Sequence, residues 1–440
     1  MSRLSAVVER ARDLAMPPPA EEKRIGALAK TLLAKTKKAA GRFSEARGVI
    51  VGGSLAKGTW LPMSVDLDIF VKIDPSTPEI DFERIGLQIG AMATRGYPMG
   101  KKFAQHPYTE ATVGGVRVNI VPCFAVTKGH WKSAADRSPF HVELIKRLPI
   151  EQKAEVRLLK LFMSGVGVYG AEIQRRGFSG YVAEVLVMQH GSFKSVLEWF
   201  ATRFHVSDGR PFTLPDPVDE ARDLGIAVSG ESLGKLILAS REFLRRPGIG
   251  FFQGMSGRTR SSLEGRVHAM VFSHKKMSED TLWGELRKTT KHLVRHLETH
   301  GFVVARSMAA SDNIGRSAIL VIPEIIELPD LEQRIGPTVD RREDVKAFIS
   351  TNARDSRLVW VDDDARVRLL KARVHKRLDP LLVDIAKGRE GPIGASRELE
   401  AGMKRSAIVL EGRSLHRAAN QLRWLKDGIR EITSDAVGAR

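Results

Sequence analysis

The sequence is poor in cysteine, in long apolar runs and in acidic charge, and each shortage excludes something. Only one of the 440 residues is cysteine, Cys123, which rules out an internal disulfide framework and any multi-cysteine zinc site. No apolar run approaches the ~20 residues that a membrane-spanning helix needs, so no membrane partner is expected. The opening stretch, MSRLSAVVERARDLAMPPPAEE, breaks its apolar residues with charges and has no signal-peptide core. A cytoplasmic protein is the expectation. There is no internal repeat and no long low-complexity tract. Asp plus Glu reach 52 against 70 Lys plus Arg, a formal net charge of +18.

That surplus points to a polyanionic partner, most simply nucleic acid; the plainer account is a genome that favours arginine. Hydrophobic residues make up 42% and charged residues 28%, enough for packed cores. At ~150 residues per domain the length corresponds to about three domains.

Apolar periodicity predicts a helix over 21–40, with Ile25, Leu28, Ala29, Leu32 and Leu33 on one stripe. A strand at 48–51 leads into the turn Gly52-Gly53-Ser54, and a strictly alternating strand follows at 65–73. After a helix near 81–95, the runs 108–113 and 116–121 flank Gly114-Gly115, a strong hairpin signal. Beyond Asp136 the pattern turns helical, with helices over 151–165, 180–203 and 230–245 and a Pro/Gly/Asp loop at 206–218. A third region from about 250 shows a long helix at 279–300, strands at 302–307 and 317–327, a hairpin at 357–370 turning at Asp362-Asp363-Asp364, and a basic helical end.

Asp66 and Asp68 are two apart on a strand, so both carboxylates leave the same face while Leu67 and Ile69 turn to the core. Two adjacent carboxylates repel, and a divalent cation removes that cost. Hard oxygen ligands suit Mg²⁺, which is commonly held by one or two carboxylates plus substrate phosphates. Ser54 in its glycine turn can offer a hydroxyl and backbone N–H groups to phosphate. A solvated Asp-x-Asp on an edge strand is the plain alternative. Strand, Gly-Gly-Ser, eleven residues and then Asp-x-Asp is a sharper pattern.

That pattern resembles the DNA polymerase β-like nucleotidyltransferase superfamily. The runs Gly53-Ser54-Leu55-Ala56-Lys57-Gly58-Thr59-Trp60-Leu61, Val121-Pro122-Cys123 and Asp136-Arg137-Ser138-Pro139-Phe140-His141 narrow the resemblance to the archaeal, class I CCA-adding enzymes. So do Glu155-Val156-Arg157-Leu158-Leu159-Lys160, Tyr169-Gly170-Ala171-Glu172, Gly177-Phe178-Ser179-Gly180-Tyr181 and Asp216-Pro217-Val218-Asp219. The match is dense from about 45 to 255. It implies an α+β protein: a polymerase β-like nucleotidyltransferase head (1–140), a helical neck that reads the nucleotide base (141–255), and an α/β body and tail that bind tRNA (256–440). It further implies Mg²⁺ on Asp66 and Asp68, and triphosphate contacts from Ser54 and Lys57. His141, Lys160 and Tyr169 stand where the family contacts phosphates and sugar, and Arg222 where an arginine helps read the base. From the residues alone, Lys160 could sit on a solvated helix face, Tyr169 in a core, and His141 at a helix cap. CTP, ATP and tRNA are the implied partners, with a homodimer left open.

One position departs from the family, which carries a third Asp on the strand before Val-Pro-Cys. Here that residue is Asn119, a neutral and weaker ligand for metal. With Gly114-Gly115 as the hairpin loop, Glu110 falls opposite Asn119 on the same face. Either Glu110 supplies the missing charge or it is an exposed strand residue. Three functions follow in order: CCA addition to tRNA, a related RNA-tailing nucleotidyl transfer, and non-catalytic tRNA binding by a relative that has lost a ligand.

Overall fold

The computed structural model describes residues 2–62, 65–202, 212–254 and 261–434. The architecture is α+β, and the chain divides at Gly257/Arg258 into two compact units. The first begins with α1 (Arg3–Ala15) and α2 (Pro19–Ala40), the latter started by Pro19, whose fixed φ suits the first helical position. β1 (Ala46–Val51), the one-turn α3 (Gly53–Lys57), β2 (Asp66–Ile73), α4 (Glu79–Ala93), β3 (Met99–Phe103), β4 (Pro107–Val113) and β5 (Val116–Phe124) follow. The strands form one sheet in the order β1-β2-β5-β4-β3, parallel only between β2 and β5.

Strict alternation separates the two faces of this sheet. Leu67, Ile69, Val71, Val118 and Ile120 are fully buried with Ile25 and Leu32 of α2 and Phe82, Ile85 and Ile89 of α4. Asp66, Asp68, Asn119 and Glu110 lie on the opposite, half-buried face. Gly114 and Gly115 have φ of 57° and 78°, the pair of positive values that a two-residue I′ turn requires. The register places Val113 against Val116 and Glu110 against Asn119, as the hairpin arithmetic predicts. β3 has no counterpart in the sequence reading. All five of its residues are exposed, so no apolar alternation marks it, and Lys101 and Lys102 protect this edge.

A second apolar core is built by α5 (Ser138–Lys146), α6 (Ile150–Val166), α7 (Gly180–His190), α8 (Phe193–Thr202) and α9 (Gly230–Arg245). Val156, Leu159, Phe162, Phe193, Phe200 and Phe243 are at its centre. The stretch expected as one helix over 180–203 is two. Gly191 (φ 85°) ends α7, and Ser192 Oγ accepts from Ser195 N at 3.1 Å to cap α8. α1 packs on this helical core through Leu4, Val7, Val8 and Ala11, and Arg12 donates to Glu155 at 2.7 Å. Of the expected loop at 206–218, residues up to 211 lie outside the described ones.

The second unit holds α10 (Ser261–Glu264), β6 (His268–Ser273), α11 (Glu279–Thr299), β7 (Val304–Ser311), β8 (Arg316–Pro323), β9 (Leu331–Thr338), α12 (Arg342–Asn352), β10 (Ser356–Val361) and β11 (Arg366–Ala372). α13 (Leu378–Ala386), α14 (Arg397–Ser406), β12 (Ile408–Glu411), α15 (Gly412–Gln421) and α16 (Arg423–Thr433) complete it. One antiparallel sheet runs β12-β6-β8-β7, and a smaller one β10-β11-β9. The β10–β11 turn is organised by Asp362, whose Oδ1 accepts from the N–H groups of Asp364 and Arg366. No helix among the described residues is long and apolar enough to cross a membrane.

Candidate active site

The site face of the first sheet is set by the β2–β5 register, which pairs Asp66 with Arg117 and Asp68 with Asn119. Arg117 forks onto Asp66 with two hydrogen bonds of 2.9 and 2.6 Å. Asn119 Nδ2 donates to Asp68 Oδ1 at 2.8 Å. Burial raises the Asp68 carboxyl above the ordinary aspartate range; the Asn119 hydrogen bond opposes that shift and the nearby Asp66 adds to it. Glu110 lies across from Asn119, its carboxylate 3.8 Å from Lys102 Nζ.

The glycine turn closes over Asp68. Gly53 adopts φ +60°, and a Cβ there would fall 2.0 Å from Asp68 Oδ2, so glycine is demanded by both backbone and space. Gly52 N–H donates to the Asp68 carbonyl at 2.7 Å. The Ser54 hydroxyl makes no hydrogen bond to another described residue. The donor set fits a hard cation on one further observation: Asn119 Oδ1 is buried and has no hydrogen-bond partner among the described residues. A bare buried acceptor beside two carboxylates is what a cation ligand looks like before its ion is bound.

Lys57 and Lys160 converge on one carboxylate, Glu184 of α7. Lys57 Nζ is 2.8 Å from its Oε2 and Lys160 Nζ 2.7 Å from its Oε1. Lys160 also donates to Thr59 O and Oγ1 at 3.1 and 3.0 Å, and Thr59 Oγ1 donates to Glu184. Burial alone would push the Glu184 carboxyl up, but the two ammonium groups outweigh it and hold it down at about 2. Lys160 is therefore not on a solvated face: it is 1% exposed. Tyr169 is next to this cluster, since a Cβ on Gly180 would meet Tyr169 Oη at 2.9 Å and Lys160 Nζ at 3.4 Å.

A second hub is Asp216. It accepts from Tyr181 Oη at 2.9 Å, Val218 N at 2.9 Å and Arg222 Nη1 at 3.2 Å, and its Oδ2 is 3.0 Å from His141 Nε2. His141 is inside α5, buried and stacked on Tyr181 with centroids 3.8 Å apart, and is no helix cap. Tyr181 joins the two hubs, because Lys57 Nζ lies 4.8 Å above its ring. Burial lowers the His141 pKa, against the pull of Asp216. Burial would raise Asp216, but its hydrogen bonds from His141 and Val218 bring it to about 2.

The structure thus groups Asp66, Asp68, Asn119 and Glu110 on one sheet face, Lys57 and Lys160 on Glu184, and His141 and Arg222 on Asp216. Glu184 was not singled out from the sequence, and Asp216 was named only within the run Asp216-Pro217-Val218-Asp219, with no role given to it. A signal existed for Glu184: one charge inside the apolar run Tyr181-Val182-Ala183-Glu184-Val185-Leu186-Val187 must find partners when that run is buried.

Residues 33–141, which carry the paired strand carboxylates and the glycine turn, match the nucleotidyltransferase domain family. The family "tRNA nucleotidyltransferase, second domain" matches 154–253, and "CCA-adding enzyme, C-terminal domain" matches 265–411. The CCA-adding enzyme of Pyrobaculum islandicum is 36% identical over 352 residues, 77% of this chain and 83% of that one. Those of Halorubrum lacusprofundi and Archaeoglobus fulgidus are each 32% identical, over 81% and 80% of this chain and 83% of their own. Among solved structures, the Cid1 poly(U) polymerase overlaps loosely, with a TM-score of 0.43 and 15% identity over 57% of this chain and 99% of that one. The chain belongs to the family of CCA-adding enzymes.

Proposed function

We propose that this protein adds C, C and A without a template to the 3′ end of tRNA, by nucleotidyl transfer from CTP and ATP with Mg²⁺. The observation that carries the reading is the face built by Asp66, Asp68 and the unpartnered Asn119 Oδ1 beneath the Gly52–Gly53 turn. Asp66, Asp68 and Asn119 would hold Mg²⁺. Bound there, Mg²⁺ would neutralise phosphate charge and lower the pKa of the attacking 3′-hydroxyl. The rest falls to the chain. Ser54 offers a free hydroxyl to the triphosphate, and Lys57, fixed by Glu184 and Tyr181, adds a positive charge. Lys160 acts from beneath, holding Glu184 and the Thr59 backbone so that the glycine turn keeps its place. Tyr169, His141 and Arg222 line the sugar and base side, the last two oriented by Asp216. Such catalysis is mostly positioning and charge neutralisation. The first unit would hold head and neck, and the second would grip the tRNA.

Asn119 favours a second reading, a tRNA-binding relative without catalysis. One assay separates the two. Purified protein is incubated with tRNA lacking its 3′ CCA, with Mg²⁺, and with CTP and ATP separately and together, and products are sized to one nucleotide. Extension by two with CTP and by three with both is expected; bound but unextended tRNA would establish the second reading.

A further inference from the structure

Three histidines and a glutamate converge in the second unit, in a cluster that the nucleotidyl-transfer reading does not use. His296 and His300 lie four residues apart, at the end of α11 and just beyond it, on one face of the helix; their ring centroids are 4.9 Å apart. Glu390, in the segment between α13 and α14, faces them. His300 Nε2 is 3.2 Å from Glu390 Oε2, and His375 Nε2 is 3.0 Å from Glu390 Oε1. Asp384 of α13 lies 3.6 Å from the same His375 nitrogen.

The hydrogen-bond inventory of this cluster does not close with neutral rings. His300 Nδ1 is 2.9 Å from the carbonyl oxygen of His296. A carbonyl can only accept, so Nδ1 carries the ring proton. Nε2 of a neutral His300 is then a lone pair, aimed at a carboxylate oxygen that is also an acceptor. His296 Nε2 is buried and has no hydrogen-bond partner among the described residues. A ring lone pair aimed at a carboxylate, beside a second imidazole whose buried nitrogen nothing satisfies, calls for a positive charge between them. The Nδ1–H to carbonyl bond is the outer hydrogen bond that orients metal-bound histidines. Candidate ligand atoms of His296, His300 and Glu390 all lie within 4.8 Å of one another. Two ligands bound tetrahedrally to zinc at about 2.0–2.1 Å stand about 3.3 Å apart, close to the His300–Glu390 separation already present.

We propose that His296, His300 and Glu390 bind one divalent transition-metal ion, Zn²⁺ by the chemistry of two imidazoles and a carboxylate, with His375 or water in the fourth position. The ion is a structural staple. It ties the end of α11 to the segment that follows α13, and so fixes two parts of the second unit that are about ninety residues apart in sequence.

The test uses the full-length protein, stripped with a chelator, dialysed, and titrated with Zn²⁺ against a chromophoric competitor. With Mg²⁺ in excess to fill the carboxylate face of the first unit, one equivalent per chain is expected. His296→Ala and His300→Ala should each weaken it at least about ten-fold, whereas Asp68→Ala, at the carboxylate face of the first unit, should leave it unchanged. Co²⁺ in place of zinc should give visible d–d bands that vanish in His296→Ala. Should a histidine variant fail the circular-dichroism check, the wild type decides alone: in buffer that already holds saturating Mg²⁺, added Zn²⁺ should raise its Tm by a few degrees further. Equal zinc affinity in wild type and folded histidine variants would overturn the proposal, as would a wild-type Tm indifferent to zinc. The cluster would then be held by a proton, as a His300 imidazolium on Glu390.

Discussion

Asp68 is charged at a cost. Burial and Asp66 raise its pKa above the ordinary 3.8, so the native state binds this proton more tightly than the unfolded chain. The stabilising contribution is full below 3.8 and is lost as pH rises through the native value. Asp68→Asn should therefore be as stable as wild type at acid pH and more stable at pH 7 without Mg²⁺, as thermal melts would show, while nucleotide transfer is abolished and tRNA affinity is kept. A variant that melts lower at pH 7 would contradict this account of the site. Asn119 allows a paired test. If Glu110 supplies the charge absent at Asn119, Glu110→Gln should lose most activity and Asn119→Asp should restore it in that background, measured as single-turnover CMP incorporation. Full activity of Glu110→Gln would reduce Glu110 to a strand residue near Lys102. At this scale the sequence was informative wherever neighbours are fixed by period or turn. Asp66 with Asp68 follows from alternation, and Glu110 with Asn119 from hairpin arithmetic. The roles of Glu184 and Asp216 escaped because their partners are set by tertiary packing: Lys57 is 127 residues from Glu184, and His141 is 75 from Asp216.

Among the elements, α7 has a double task, since its outer residues fill the helical core while Glu184 turns to the polar cluster around Thr59. Glu184→Gln would leave two buried ammonium groups against one neutral amide. A broken buried pair costs about 3–5 kcal/mol, readable as a lower urea midpoint with an unchanged slope. The pH dependence has a sign. The native Glu184 carboxyl is held near 2 against an ordinary 4.5, so its contribution is full above 4.5 and is lost as pH falls toward 2. The Gln variant should lack that stretch of the acid-unfolding curve. Elements with an apolar stripe or a turn signal were legible: α2, β2, β4 and α9 sit within two residues of expectation, and β5 starts where expected and runs three residues further. The break at Gly191-Ser192 was not, since glycine within an apolar helix does not announce a positive φ. Nor was β3, whose exposed residues pair through backbone alone.

For the whole molecule the governing quantity is its charge of +18. Phosphate neutralisation releases counterions, so tRNA affinity should fall steeply between low and moderate salt. Arg341, Arg342, Arg405, Arg413, Arg417 and Arg423 are the candidate contacts in the second unit. Arg413 and Arg417 line a cavity of about 780 Å³ together with Lys426 and Arg430. Arg413→Ala with Arg417→Ala should lower the slope of log affinity against log salt by about 1–2, in filter binding, without changing the Tm. An unchanged slope would make these residues mere solubilising charges.

The meeting of Lys57, Thr59, Lys160 and Glu184 carries a consequence for inheritance. The stretch that supplies Lys57 and Thr59 and the helices that supply Lys160 and Glu184 belong to different apolar cores, but their charges balance only as a set. A chimera that took its sheet from one relative and its helices from another would have to import all four together. Recombination at the seam near residue 140 is therefore permitted between relatives that share this quartet and penalised between those that do not.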